Sequence, residues 1–346
     1  MPLKNRRDVP GVITYSPAFT LVPTYECFNR CTYCNFRQDP GGSRWLSLTA
    51  AQQQLQQFPA GSLCEVLILS GEVHPRSPRR RSWVDHIYRL CDLALSLGFL
   101  PHSNVGPLTV GEMERLARVN VSMGLMLEQM TPRLMETVHR QAPSKRPDLR
   151  LAQIQQAGQL GIPFTTGLLL GLGETPADWR DTLQTIAQVQ RQWGHIQEVI
   201  LQPYQPGSRE VRGAPGFCAQ DLVSVVELAR DLLPEEIALQ IPPNLIQDEA
   251  LLRRCLQAGA TDLGGLGPID QVNPDYPHPH LGRLERLLDQ WGFQLRPRLP
   301  VYPQFESRLP VALQRALQPW KQQFAAKGVS PSPSALPNQA PSFRGR

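Results

Sequence analysis

Three of the chain's seven cysteines fall within eight positions, in the run Glu26-Cys27-Phe28-Asn29-Arg30-Cys31-Thr32-Tyr33-Cys34. The spacing is Cys-x3-Cys-x2-Cys. Thiolates so placed on one tight loop can each take one iron of a cubane 4Fe–4S cluster. No fourth cysteine lies nearby, so one iron would stay open to a reactive ligand. Zinc is the competing reading, but a structural zinc site wants four ligands, usually as two separated pairs, and there is no second pair. Cys64, Cys91, Cys218 and Cys255 stand singly within apolar segments and read as small core hydrophobes. An odd cysteine count fits metal ligands in a reducing compartment better than disulfides, and the expected location is cytoplasmic.

Such a loop needs a scaffold. Short apolar runs at 19–23, 65–70, 99–104, 119–125, 163–170, 198–202, 237–241 and 261–264 read as strands. Helical patterns lie between them, near 48–58, 82–97, 109–118, 132–139, 149–160, 177–192, 219–231 and 246–258. Ser47, Ser82 and Thr175-Pro176 supply helix starts, while Gly98, Gly158, Gly161, Gly194 and Gly259 punctuate the ends. Eight strand–helix units with near-continuous apolar strands predict an α/β fold with a buried parallel sheet. A TIM-type (β/α) barrel, complete or nearly complete at eight strands, is the economical closure, and a doubly wound open sheet is the alternative. The barrel domain is expected over 1–308, including a helix near 280–291, followed by a helix over 309–320 and a disordered tail over 321–346. The cysteine loop follows the first strand, at the barrel end where catalytic loops gather.

Composition excludes several classes. Of 346 residues, 41% are hydrophobic and 19% charged, enough apolar content for a sizeable core. No apolar stretch approaches a membrane span, and the first residues lack the apolar centre of a secretory signal. A net charge of +5 invites a nucleic-acid reading. However, Lys321, Lys327, Arg344 and Arg346 supply four of those charges and no acid accompanies them. The alkaline balance therefore belongs to the tail. The basic run 76–81 reads as a solvated loop.

The cysteine loop, with Tyr33 beside the third ligand, resembles the radical S-adenosylmethionine (SAM) superfamily. That resemblance implies Cys27, Cys31 and Cys34 as ligands of a 4Fe–4S cluster whose open iron binds SAM. It implies SAM contacts from Ser70, Gly71 and Glu72, at the second strand's end, and from Gly171 in the Gly167-Leu-Leu-Leu-Gly171-Leu-Gly173-Glu174 element. Ser70 stands where the family usually has glycine. Glu128 is expected at the SAM ribose, and Arg150, with Lys145 as a second candidate, at the SAM carboxylate.

Further runs narrow the resemblance. Cys34-Asn-Phe-Arg37, Leu100-Pro-His-Ser-Asn-Val-Gly106, Met123-Gly-Leu-Met-Leu-Glu128, Ile162-Pro-Phe-Thr-Thr-Gly167, Pro242-Pro-Asn-Leu245 and Asp262-Leu-Gly-Gly-Leu-Gly-Pro268 resemble the cyclising subunits that form the deazaflavin FO. The similarity spans roughly residues 12 to 305. It implies an ammonia-releasing carbon–nitrogen lyase acting on a benzyl–ribityl–dihydrouracil adduct, with His102, Asn104 and Asn244 at the substrate and His102 also a candidate acid or base. It also implies a functional pairing with the tyrosine-cleaving radical SAM subunit and an external one-electron reductant, with neither nucleic acid nor membrane as partner. That tyrosine-cleaving subunit is the nearest rival reading. A non-catalytic iron–sulfur or RNA-binding protein is the rival from another class.

Overall fold

The computed structural model describes residues 11–246 and 248–327. Nine strands alternate with helices: β1 Gly11–Leu21, α1 Leu48–Gln56, β2 Glu65–Leu69, α2 Arg80–Ser96, β3 Leu100–Asn104, α3 Val110–Leu116 and β4 Ser122–Gly124. The chain continues through α4 Pro147–Gln159, β5 Phe164–Leu170, α5 Pro176–Trp193, β6 Ile196–Pro203, α6 Ala219–Leu232, β7 Ala238–Gln240, α7 Glu249–Ala258 and β8 Asp262–Leu266. It closes with α8 Leu281–Gln290, β9 Phe293–Pro297 and α9 Val311–Lys327.

Strands β1 to β8 pair in parallel with their sequence neighbours, and β1 pairs with both β8 and β2, which closes the barrel. The open-sheet alternative is thereby excluded. All residues of β5 are buried because helices cover its outer face and the barrel interior its other face. Helix α5 shows how local chemistry sets a boundary. Thr175 and Asp178 form a reciprocal capping box, Pro176 opens the first turn, and Gly194 ends it in the left-handed region at φ 59°.

Four local expectations are corrected. The first strand begins at Gly11, well before 19, and its early half pairs with β9. Carbonyls of Tyr15 and Pro17 accept from Arg298 N (2.8 Å) and Cys64 N (3.0 Å), so β9 and β2 share one edge of β1. Helix α2 starts at Arg80, not Ser82, and the segment after β4 is a single 3-10 turn, Pro132–Glu136, not a helix to 139. The final helix runs on to Lys327, and within it Lys321 pairs with Glu306 at 2.6 Å, so 321–327 are helical where a tail was expected. The rest of that expected tail, 328–346, lies outside the described residues.

In the basic run Arg76, Arg79 and Arg81 are exposed, as a solvated loop requires, but Arg80 is buried and bonds Glu112 and the carbonyls of Val73 and Pro107. Arg79 also pairs with Glu26 and lies over the Trp45 ring. Cys64, Cys91 and Cys255 are buried as expected, but Cys218 is exposed, at the N-cap of α6.

A second apolar cluster forms under the barrel. Leu299, Val301, Phe305, Leu313 and Leu317 pack against Cys64, Leu100 and Val121, which sit at or just before the starts of β2, β3 and β4. The segment after β9 thus plugs the N-terminal end of the barrel and leaves the opposite end for a site. Among the described residues, no helix is long and apolar enough to cross a membrane.

Candidate active site

The loop after β1 is pinned from two sides. Phe28 N donates to Glu72 O (3.0 Å), past the end of β2, while Arg30 N and Thr32 N donate to Gln141 O (2.7 Å) and Val138 O (3.1 Å), past β4. Gly71 makes the first approach possible, because a Cβ there would sit 2.2 Å from the Glu26 carbonyl oxygen. The result is a cavity of about 220 Å³ whose walls include Cys27, Cys31 and Cys34, with Ser70, Gly71 and Glu72 facing them.

Burial pushes the Cys27 thiol up to about 11, reinforced by Glu72, and the Cys31 thiol up to about 12, against the pull of Lys145. Any metal bound there must displace a firmly held proton. No three His, Cys, Asp or Glu side chains among the described residues close on a single ion. A cluster asks for something different: three thiols on one wall, each taking its own iron. The donor set fits that group.

Beside the thiols lies a buried network. Asn29 Nδ2 donates to Glu72 Oε2 (2.9 Å) and Ser144 Oγ (2.7 Å), and Ser144 Oγ also donates to Glu72. Arg150 donates to the carbonyls of Met126 (2.6 Å) and Ser144 (3.1 Å), and its guanidinium lies 3.9 Å from Glu72 and 3.6 Å from Glu128. Lys145 pairs with Glu128. Two acids thus meet two bases in a space that also reaches the thiols. Burial alone would raise the Glu128 carboxyl, but Lys145 and Arg150 bring it below its usual range.

Glu128 has a left-handed backbone, φ 67°, unusual for a residue with a side chain. Its N–H reaches Gly167 O at 3.1 Å, tying the turn after β4 to β5. On the other side, Gly106 (φ 83°) leaves room for Glu72, whose Cδ lies 2.4 Å from where a Gly106 Cβ would be.

The other expected site residues divide. Asn104 lines the thiol cavity and also a second one of about 180 Å³ deeper in the barrel, which His102 and Asn244 line as well. The two cavities share Leu69, Asn104, Met126, Gln202, Val272 and Asn273. Asn244 is buried, donating to Asp270 Oδ2 (2.8 Å) and Tyr276 O (3.0 Å), and its Oδ1 has no partner. Gly171 lines neither cavity. Its N–H goes to Glu174 (2.5 Å) and its carbonyl accepts from Arg212 (2.7 Å), so Glu174 braces this turn from within. Ser70 Oγ donates to Gly71 O (2.8 Å) and accepts from Trp83 Nε1 (3.1 Å), which holds the turn.

Asn29, Ser144 and Gly106 escaped sequence reasoning. Asn29 sits inside the cysteine run and Gly106 inside a quoted motif, so both were in view; Ser144 carried no signal. The deeper cavity also presents Gln202, Gln240, Gln271 and Asn273. Glu65, Glu198 and Arg298 line it too, and Arg298 donates to Asp262 (2.6 and 2.8 Å) and Glu198 (2.6 Å), with Tyr302 OH 3.1 Å from Asp262.

The model of the radical SAM superfamily matches residues 21–186. The chain is 60% identical over 306 residues to the 7,8-didemethyl-8-hydroxy-5-deazariboflavin synthase of Thermosynechococcus vestitus, covering 88% of this chain and 97% of that protein. It is 58% identical over 312 residues to the synthase of the same name from Trichormus variabilis, covering 90% and 92%. Among solved structures, it resembles the FeFe-hydrogenase maturase of Carboxydothermus hydrogenoformans (TM-score 0.68, 17% identity, 92% of this chain and 79% of that one). It also resembles methylornithine synthase (TM-score 0.62, 15% identity, 87% of each chain). At such identities the structural likeness speaks for the fold.

Proposed function

The chain belongs to the radical SAM superfamily and, within it, to the 7,8-didemethyl-8-hydroxy-5-deazariboflavin (FO) synthases, and on that premise we propose that it closes the deazaflavin ring. The proposed substrate is 5-amino-5-(4-hydroxybenzyl)-6-(D-ribitylimino)-5,6-dihydrouracil, converted with loss of ammonia; methionine and 5′-deoxyadenosine are the co-products. In this reading it is a carbon–nitrogen lyase of the cytoplasm, served by an external one-electron reductant and by the tyrosine-cleaving subunit that makes its substrate.

When bound, the 4Fe–4S cluster and SAM supply a 5′-deoxyadenosyl radical that takes a hydrogen atom from the substrate. Cys27, Cys31 and Cys34 would hold the cluster. Glu72 offers a carboxylate for the SAM ammonium, with Gly71 allowing close backbone approach, and Arg150 a guanidinium for its carboxylate. Glu128 faces the same cavity and would meet the ribose. Ser70 lines the cavity and also holds its turn, while Gly171, through the brace with Glu174, positions the site from behind.

The observation that carries the reading is the continuity of the two cavities. A thiol-lined chamber adjoins, at Asn104 and Met126, one lined by carboxamides, His102 and the ionisable side chains of Glu65, Glu198, Asp270 and Arg298. An imide edge and a polyol need such oriented donors and acceptors. Asn104 stands at the boundary, and Asn244 Oδ1 is an acceptor still owed a donor.

The test is anaerobic reconstitution with iron and sulfide, then incubation with the adduct, SAM and a reductant. The expected result is deazaflavin absorbance together with 5′-deoxyadenosine. Assembly of the adduct from tyrosine and 5-amino-6-(D-ribitylamino)uracil by this chain alone would overturn the assignment in favour of the tyrosine-cleaving partner.

A further inference from the structure

His102 is buried on β3, at the wall of the deeper cavity. Its Nδ1 lies 2.6 Å from Ser122 Oγ, and that hydroxyl lies 2.6 Å from the carbonyl oxygen of Pro300. A serine hydroxyl has one proton. The Pro300 oxygen has none, so two oxygens at that distance require the Ser122 proton between them. Ser122 therefore presents a lone pair to His102, and Nδ1 must carry the hydrogen. Gln197 Nε2 donates to the same Pro300 oxygen at 3.0 Å and fixes that carbonyl in turn.

The opposite ring nitrogen is left bare. Nε2 lies against Gly124, where a Cβ would come within 2.9 Å, so the absent side chain makes its berth. Burial drives the His102 imidazole down to about 3, with the Arg298 charge adding to the effect. Asp262 and Glu198 engage Arg298 directly and so do not turn toward the imidazole to offset it. With Nδ1 carrying the hydrogen and burial opposing a second proton, Nε2 presents a lone pair.

We propose that Ser122 and the Pro300 carbonyl hold His102 as its Nδ1–H tautomer, so that Nε2 is a fixed acceptor for an N–H or O–H of the substrate. The inference deepens the functional reading given above and rests on it for the ligand. The dihydrouracil ring and the ribityl chain both carry such donors. A ligand offering only an acceptor at that point would leave two lone pairs facing each other, which gives the residue a role in specificity. Ser122 and Pro300 are positioning groups, acting through the ring.

Nitrogen-15 NMR of anaerobically reconstituted protein carrying labelled histidine tests this, with the His102 signals identified by their loss in His102→Gln. The parent should show a protonated Nδ1 and a bare Nε2, unchanged from neutral pH down to about pH 5, where a free imidazole is mostly charged. Ser122→Ala should release the ring into a mixture of tautomers. Adding the adduct should move the Nε2 signal toward its hydrogen-bonded position. In turnover, His102→Asn should raise the adduct's KM by about tenfold, the worth of one lost hydrogen bond. His102→Gln, whose carboxamide oxygen reaches the Nε2 position, should recover part of that loss. A proton on Nε2, or an ordinary histidine titration, overturns the lock. An unmoved Nε2 signal with an adduct that is turned over overturns the acceptor role. If the parent does not turn over the adduct at all, the functional reading fails, while the ligand-free spectrum still decides the tautomer.

Discussion

The floor of the barrel places three buried carboxyls, Glu65, Glu198 and Asp262, around the single guanidinium of Arg298. Ionising all three would leave a net charge of about −2 in a closed lumen, which burial heavily disfavours. Asp262 has the best of Arg298, bonding both Nε and Nη2, and also accepts from Thr14 and Gly264 N (2.6 Å). Its carboxyl, raised by burial, is carried below the usual range by Arg298. Glu198 and Glu65 go the other way, both raised chiefly by burial. The floor then favours a neutral arrangement, with Asp262 paired to Arg298 and burial pushing Glu198 and Glu65 toward their protonated forms.

Glu198→Gln separates this account from its obvious competitor. Gln can keep its carboxamide oxygen toward Arg298 and Tyr302, which now lie 2.6 and 3.3 Å from Glu198 Oε1. Its NH2 would face Thr165, whose hydroxyl can turn to accept. If Glu198 is protonated in the native state, the exchange is of one neutral group for another and costs about 1 kcal/mol or less at acid pH, where the unfolded glutamate is protonated too. If Glu198 is instead an ionised partner of Arg298, breaking a buried pair costs about 3–5 kcal/mol. The pH dependence adds a second reading. An acid with a raised native pKa contributes stability below its unfolded value, and that contribution is lost as pH climbs toward the native one. The parent should thus lose stability from this group at about 1.4 kcal/mol per pH unit above the ordinary glutamate range. The variant should fall less steeply by that amount. Thermal melts of both proteins, at one scan rate across a pH series, make the comparison. A large loss for Glu198→Gln at every pH, with parallel pH profiles, would refute the neutral floor.

Gly106→Ala should crowd Glu72 and strain a backbone at φ 83°, lowering SAM affinity measured by equilibrium binding by roughly five- to 150-fold if about 1–3 kcal/mol of strain falls on the bound state. Arg80→Ala should destabilise by about 3–5 kcal/mol, read as a lowered Tm, because it strands the partly buried Glu112 and two carbonyls. Ala at Cys27, Cys31 or Cys34 should abolish iron loading, measured as iron and sulfide per chain after reconstitution. Cys218→Ala should leave loading unchanged, since that thiol is exposed at the start of α6 and lines neither cavity.

Much was legible in the chain itself because it is written in local patterns. The cysteine spacing lies within eight residues, the strand–helix rhythm repeats over short spans, and caps such as Thr175-Pro176 act on their own turn. The start of β1 was not legible, since Pro17 and the polar residues around it break the apolar run, and the partner that makes residues 11–15 a strand lies near 293–297. Arg80 read as one more basic residue because Glu112 is 32 positions away.

What the sequence determined alone is the kind of chemistry, since ligand type and spacing on one loop are properties of a few adjacent residues. Barrel closure, the division of the lumen into two joined chambers, the neutral floor around Arg298 and the forced tautomer of His102 were decided only in the tertiary structure. In a parallel barrel neighbouring strands are separated by a whole helix, so every group facing the lumen finds its partner far along the chain. Pro300 lies 178 residues from the serine whose proton it accepts. Its role exists only once the plug beneath the barrel is in place.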